Sequence, residues 1–107
     1  MNASFVYITA SDKNEALRIG RALVEDRLAA CVNIIENMTS LYWWDDEVQE
    51  ATEAILIAKT QNELVDSLIE QVTSLHSYDC ACVVSWPIAA GNPPYLQWIE
   101  ANTQGPC

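Results

Sequence analysis

"CVNIIENMTSLYWWDDEVQEATEAILIAKT", residues 31–60, is the stretch that decides the fold. It holds two extended runs, 31–44 and 47–60, separated only by Asp45 and Asp46, and so reads as a β-hairpin with a two-residue turn. A 14-residue strand is about 45 Å long. A compact domain of this length has a radius of gyration near ~13 Å and is only about 30 Å across. The hairpin must therefore bend, protrude, or do both. Glu36–Asn37 interrupts the apolar pattern and is the expected bulge. Leu41, Tyr42, Trp43 and Trp44 fall near the tip, giving an exposed apolar patch beside an open sheet edge. Such a ribbon either folds back on its own domain or is covered by neighbouring copies in a closed ring. The expectation is an oligomer, of a size that the pattern does not fix.

Outward from the hairpin, "SFVYITAS" (4–11) reads as a strand. A helix follows from Asp12, which stands in capping-box spacing with Glu15. Its expected apolar face is Leu17, Gly20, Val24 and Leu28, with Ala16 and Leu23 beside it. Residues 61–76 repeat the helical pattern through Leu64, Leu68, Ile69, Val72 and Leu75. "CACVVSWPI" (80–88) reads as a final buried strand, and a short helix over 95–102 follows Pro93–Pro94. The order β-α-β-β-α-β predicts an α+β, ferredoxin-like fold, with a long hairpin and a short C-terminal helix, as one domain over 1–107.

Five Lys+Arg against fifteen Asp+Glu give a formal charge of −10. That balance argues against nucleic acid and against an anionic membrane surface as partners. No apolar run reaches the ~20 residues of a membrane span, and the first twenty residues lack the basic and apolar regions of a signal peptide. A cytoplasmic protein is expected, with Cys31, Cys80, Cys82 and Cys107 as thiols. Cys80 and Cys82, two residues apart on a strand, would lie roughly 6.6 Å apart, at the far edge of disulfide geometry.

"LHSYDCACVV" (75–84) holds the single histidine, His76, beside Cys80 and Cys82. Imidazole and thiolate are the right donors for copper(I) or zinc. Cys31 could add a ligand only if the fold brings the second strand close, and no C-x₂-C or histidine pair of a zinc module is present. The other reading makes both cysteines small apolar residues of a core strand and His76 the end of a helix. Lys59, one of two lysines, ends the apolar run "AILIAK" and either snorkels to solvent or meets an anion, a carboxylate of the chain or a bound ligand. Tyr78, just past the second helix, has a hydroxyl to place. No H-E-x-x-H, P-loop, G-x-G-x-x-G or G-x-S-x-G is found, so no catalytic constellation is expected.

"RLAACVNII", "TSLYWWDDEVQE", "ILIAKT", "LHSY" and "GNPPYLQWIEANT" together resemble the CutA divalent-cation tolerance family, over essentially the whole chain. The resemblance implies a ferredoxin-like subunit in a homotrimer, similar in architecture to PII signalling proteins, with a role in tolerance of copper and other divalent cations. No obligatory cofactor is implied. Relatives usually read "LHPYExPE" where this chain has "LHSYDCAC", so Ser77 and Ala81 replace prolines and Cys82 a glutamate. Some relatives carry a cysteine late in the first strand and a second histidine, at positions that are Ile8 and Leu75 here. The metal set to test is therefore His76, Cys80 and Cys82. The family also implies that Lys59, His76 and Tyr78 surround clefts between subunits, which makes a small-ligand or anion site the alternative to metal binding.

Overall fold

The computed structural model describes residues 2–104; the thiol expected at Cys107 lies outside them. The elements are β1 (Ala3–Ala10), α1 (Lys13–Glu25), β2 (Cys31–Trp44), β3 (Glu47–Gln61), a 3₁₀ turn (Asn62–Leu64) leading into α2 (Val65–Leu75), β4 (Val83–Pro87) and α3 (Pro93–Ala101). The sheet has the order β2-β3-β1-β4, antiparallel throughout. With α1 and α2 on one face, this is the ferredoxin-like arrangement.

Strand alternation divides the sheet into two different faces. Val6, Ile8, Leu56 and Ala58 point to the helices and are fully buried against Ile19 and Leu23 of α1 and Leu68 and Val72 of α2. Each large aliphatic side chain there contributes roughly 1.5–3 kcal/mol. Gly20 lets α1 approach closely: a Cβ at that position would lie 3.1 Å from both Leu56 Cδ1 and Val32 Cγ2. The opposite face carries Phe5, Tyr7, Ile55, Ile57, Val84 and Trp86, none of them fully buried. Phe5 stacks on Trp86 at 4.8 Å, yet Trp86 remains 48% exposed. Helix α3 leans over that face at its Lys59 end, and the loop after α2 reaches over its Glu53 end.

The hairpin is bent as expected. Ile35 pairs with Ile55 but Met38 pairs with Glu53, so β2 has one extra residue, and Asn37 adopts φ 61°. A one-residue bulge inverts the alternation beyond it. Tyr42 and Trp44 consequently share the face of Cys31 and Asn33, and the Tyr7 hydroxyl donates to Met38 Sδ at 3.4 Å. Asp45 and Asp46 have φ 52° and 60°, the two left-handed residues of a type I′ turn. The ribbon gives the subunit a long axis of 44 Å.

Three expectations need correction. The α1 helix ends at Glu25: Arg27 turns to φ 61°, and the Leu28 and Ala29 amides donate to the Leu23 carbonyl, closing the helix. Its buried stripe is Ala16, Ile19, Gly20 and Leu23. Leu17 and Val24, expected inside, are 40% and 38% exposed because the stripe centres on Ile19. Finally, β4 begins at Val83, so Cys80 and Cys82 are not core-strand residues. Ile8–Val83 is the last pair of the β1–β4 ladder. Just beyond it the Thr9 amide still donates to the Cys82 carbonyl at 3.3 Å, but the Thr9 carbonyl is taken by the His76 ring, and residues 80–82 form a loop with Cys80 and Cys82 exposed.

Candidate functional site: the loop after α2 and the Lys59 cluster

The loop over residues 76–82 is built on two buried side chains. His76 follows the last turn of α2, its amide donating to the Val72 carbonyl. Its ring is fully buried, with Nε2 2.7 Å from the Thr9 carbonyl oxygen. A carbonyl only accepts, so Nε2 carries the proton. Nδ1 is then the acceptor for the Tyr78 amide, at 3.0 Å. Both ring nitrogens are engaged, and His76 presents no free lone pair.

Glu15 completes the support. The Asp12 carboxylate caps α1 through the Glu15 amide at 2.8 Å, as the capping-box spacing predicts. The Glu15 carboxylate accepts from the Ser11 amide at 2.9 Å, the Ser11 hydroxyl at 3.0 Å and, from across the fold, the Ser77 amide at 2.8 Å. Burial pushes its pKa up, but these donors together hold it at about 2, below the ordinary 4.5. Helix α1 and the loop after α2 are thus joined through one carboxylate.

Tyr78 tilts over His76 with ring centroids 4.8 Å apart, and its hydroxyl donates to Glu53 Oε2 at 3.0 Å. Burial, then the Glu53 carboxylate, raise the phenol to about 12. Beyond it opens a cleft of about 550 Å³ between the loop and the bent hairpin, lined by Met38, Tyr42, Trp44, Tyr78, Cys80 and Cys82 among others. Cys80 and Cys82 are exposed free thiols on its wall, with Asp79 and Glu53 as acidic neighbours. Among the described residues no three His, Cys, Asp or Glu side chains group as a metal cage.

Lys59 lies elsewhere. It pairs with Phe5 on β1, four residues, or about 13 Å, from Thr9. Cys31 stands directly opposite it on β2. Hence, within one chain, neither Lys59 nor Cys31 joins His76, Tyr78, Cys80 or Cys82. The Lys59 ammonium is 3.2 Å from Asn33 Oδ1, 3.4 Å from the Tyr95 hydroxyl and 3.9 Å from Cys31 Sγ. The Tyr95 hydroxyl is itself 3.7 Å from that sulfur. The carboxylate contact offered as one reading of Lys59 is not made: among the described residues no ion pair includes it.

Sequence reasoning missed Glu15 and Glu53 as supports of the loop, and Asn33 and Tyr95 as neighbours of Lys59. Part of this was accessible. Counting back from the Asp45–Asp46 turn and allowing one bulged residue at Glu36–Asn37 sets Cys31 opposite Lys59. The reach of Glu15 to Ser77, 62 residues away, has no local signal.

Residues 4–102 match the family model described as CutA1 divalent ion tolerance protein. Protein CutA of Mus musculus is 43% identical over 103 residues, covering 96% of this chain and 58% of the mouse protein. Protein CutA 1, chloroplastic, of Oryza sativa is 40% identical over 99 residues, or 92% of this chain and 56% of the rice protein. The chain thus spans somewhat over half the length of these two relatives. The solved structure of the divalent cation tolerance protein from Thermus thermophilus superposes with a TM-score of 0.93 at 44% identity, covering 95% of this chain and 99% of that one. No helix among the described residues is long and apolar enough to cross a membrane. By fold, by hairpin and by sequence over nearly its whole length, the chain belongs to the CutA1 divalent ion tolerance family.

Proposed function

We propose that this protein acts in divalent-cation tolerance as a cytoplasmic homotrimer that binds copper weakly through the exposed thiols of Cys80 and Cys82. The observation that carries the metal reading is the position of these two thiols, free and solvent-facing on the wall of a largely apolar and aromatic cleft that also carries Glu53 and Asp79. Thiolates are soft donors, and two of them suit copper(I), which tolerates low coordination numbers; a tetrahedral zinc site needs four ligands. Weak binding fits a two-donor site, and among the described residues no group of three or more His, Cys, Asp or Glu side chains is placed to hold a metal. The role of His76 in this reading is to hold the loop, since ligation through it requires breaking its bond to Thr9 or to Tyr78. The trimer is supported by the sheet face carrying Phe5, Ile55, Ile57 and Trp86, which α1 and α2 leave open, and by the exposed Leu41 and Trp43 of the hairpin.

The test is anaerobic copper(I) titration of the reduced protein against a competing chelator, with Cys80→Ser/Cys82→Ser and His76→Gln alongside. Uptake that falls at least tenfold in affinity in the double serine variant supports the reading. Equal uptake in wild type and double variant removes these thiols from metal handling. Sedimentation equilibrium of the same samples tests the trimer, and a monomer across the micromolar range would refute it.

A further inference from the structure

Cys31 sits among groups unlike those around the other two described thiols. Facing it are a cation, Lys59, whose ammonium lies 3.9 Å from the sulfur, and two polar side chains, Asn33 and Tyr95, brought by β2 and α3. Three separate elements thus converge on one half-buried thiol. The ammonium takes neutral oxygens at 3.2 and 3.4 Å and meets no carboxylate among the described residues. In a chain of charge −10, such a cation is an uncommon local source of positive potential. Cys80 and Cys82 have the opposite surroundings, with Asp79 and Glu53 lining the same cleft.

We propose that Cys31 is a modification site for anionic low-molecular-weight disulfides, of which glutathione disulfide is the type, with Lys59 as the group that recognises their carboxylates. This goes beyond the metal reading and uses neither Cys80 nor Cys82; it requires that the Cys31–Lys59 end of the sheet face assigned above to the trimer stay open to a small disulfide in the assembly. The step is thiol–disulfide exchange. The Cys31 thiol gives its proton to solvent, and its sulfur attacks one sulfur of the disulfide. The S–S bond of the reagent breaks, a new one forms to Cys31, and the departing sulfur leaves with the electron pair and takes up a proton. Protein and reagent exchange two electrons, and the products are a mixed disulfide and one free thiol. The Lys59 ammonium holds the carboxylate of the incoming disulfide beside the sulfur, while the Tyr95 hydroxyl, 3.4 Å from the ammonium, is placed to donate to the same anion.

Two aromatic disulfides test this: 5,5′-dithiobis(2-nitrobenzoate), which carries two carboxylates, and the neutral 4,4′-dithiodipyridine. Both are applied to Cys80→Ser/Cys82→Ser/Cys107→Ser, which keeps Cys31 alone. The quantity read is the ratio of the anionic to the neutral rate, which cancels accessibility. Lys59→Gln should lower that ratio about three- to tenfold, as expected for one charge acting over a few ångströms at a partly screened site. Lys59→Arg should largely keep it. In Cys31→Ser/Cys107→Ser, the thiols left at Cys80 and Cys82 should show the lower ratio of the two variants. If Lys59→Gln loosens the fold, the neutral rate rises and the Arg variant decides. In the unaltered protein, glutathione disulfide should add one glutathionyl group to the Cys31 peptide before any other. A ratio indifferent to the charge at position 59, or first addition at Cys80 or Cys82, overturns the proposal.

Discussion

Replacing Glu15 by Gln tests how the loop after α2 is held. The carboxylate is 6% exposed and accepts from the Ser11 and Ser77 amides at 2.9 and 2.8 Å. Its pKa falls from 4.5 to about 2 despite burial. At about 1.4 kcal/mol for each tenfold change, that difference corresponds to roughly 3 kcal/mol of folding free energy. Because the folded value is the depressed one, this stability is fully present above pH about 4.5 and is lost as pH falls towards about 2. Glu15→Gln cannot titrate and keeps only one strong acceptor. The variant should therefore be less stable than wild type by about 2–3 kcal/mol near pH 6, and the gap should close almost completely by pH 2. The assay is urea unfolding followed by tryptophan fluorescence at fixed protomer concentration, since assembly would otherwise shift the midpoint. Subtracting variant from wild type removes the common contribution of the other carboxylates. A gap that stays constant, to within about 0.5 kcal/mol, between pH 6 and pH 2.5 would show that Glu15 does not carry the link. A companion reading is amide exchange at Ser77, which should accelerate in the variant near neutrality and differ little at low pH.

Other perturbations follow from the same structure. Gly20→Ala gains up to ~1 kcal/mol of helix propensity but sets a Cβ 3.1 Å from Leu56 and Val32. Overpacking of this kind costs about 1–3 kcal/mol, so the melting temperature should drop by a few degrees, and a rise refutes the close approach. Asp46→Gly relieves a side chain held at φ 60° in the type I′ turn and should stabilise by about 0.5–1 kcal/mol in chemical unfolding. Alkaline difference spectroscopy should find one tyrosine ionising near 12, and Tyr78→Phe should abolish that component. In Glu53→Gln it should move partway back towards 10 and no further, because burial is the larger cause.

How much of this was legible depends on whether the determining contacts are local. The hairpin, its turn at Asp45–Asp46 and its bulge at Glu36–Asn37 follow from spacing and pattern, and the Asp12–Glu15 cap follows from a three-residue interval. The C-x-C segment was misread because an apolar alternation next to Val83 and Val84 looks like a strand. Where that strand would continue, His76 bonds to the Thr9 carbonyl, 67 residues away in sequence. Leu17 and Val24 were placed inside because they are large and correctly spaced, whereas α1 in fact rolls about Ile19 to bring Gly20 down onto the sheet. The site divides in the same way. Lys59 was noticed from its position at the end of an apolar run, but Tyr95, which meets it, arrives on a separate helix 36 residues later.

The sheet order β2-β3-β1-β4 places the earliest of these four strands in chain order at an interior position. Val6 and Ile8 acquire one neighbour only when residues 54–61 have emerged, and the other only when residues 83–87 have. The β2–β3 hairpin, by contrast, is a sequence-local pairing that can begin to form while the nascent chain is still growing, though it gains stability only when β1 and α1 pack on it. Connectivity predicts an order of assembly with the hairpin first, β1 docking onto its β3 edge and β4 closing last, which φ-value analysis of the hairpin and β4 would check. Until that docking, the strand at residues 3–10 is an apolar, unpaired segment on the nascent chain. Chaperone holding is most useful over that interval, and substitutions that slow docking onto β3 lengthen it even where they leave the finished fold unchanged.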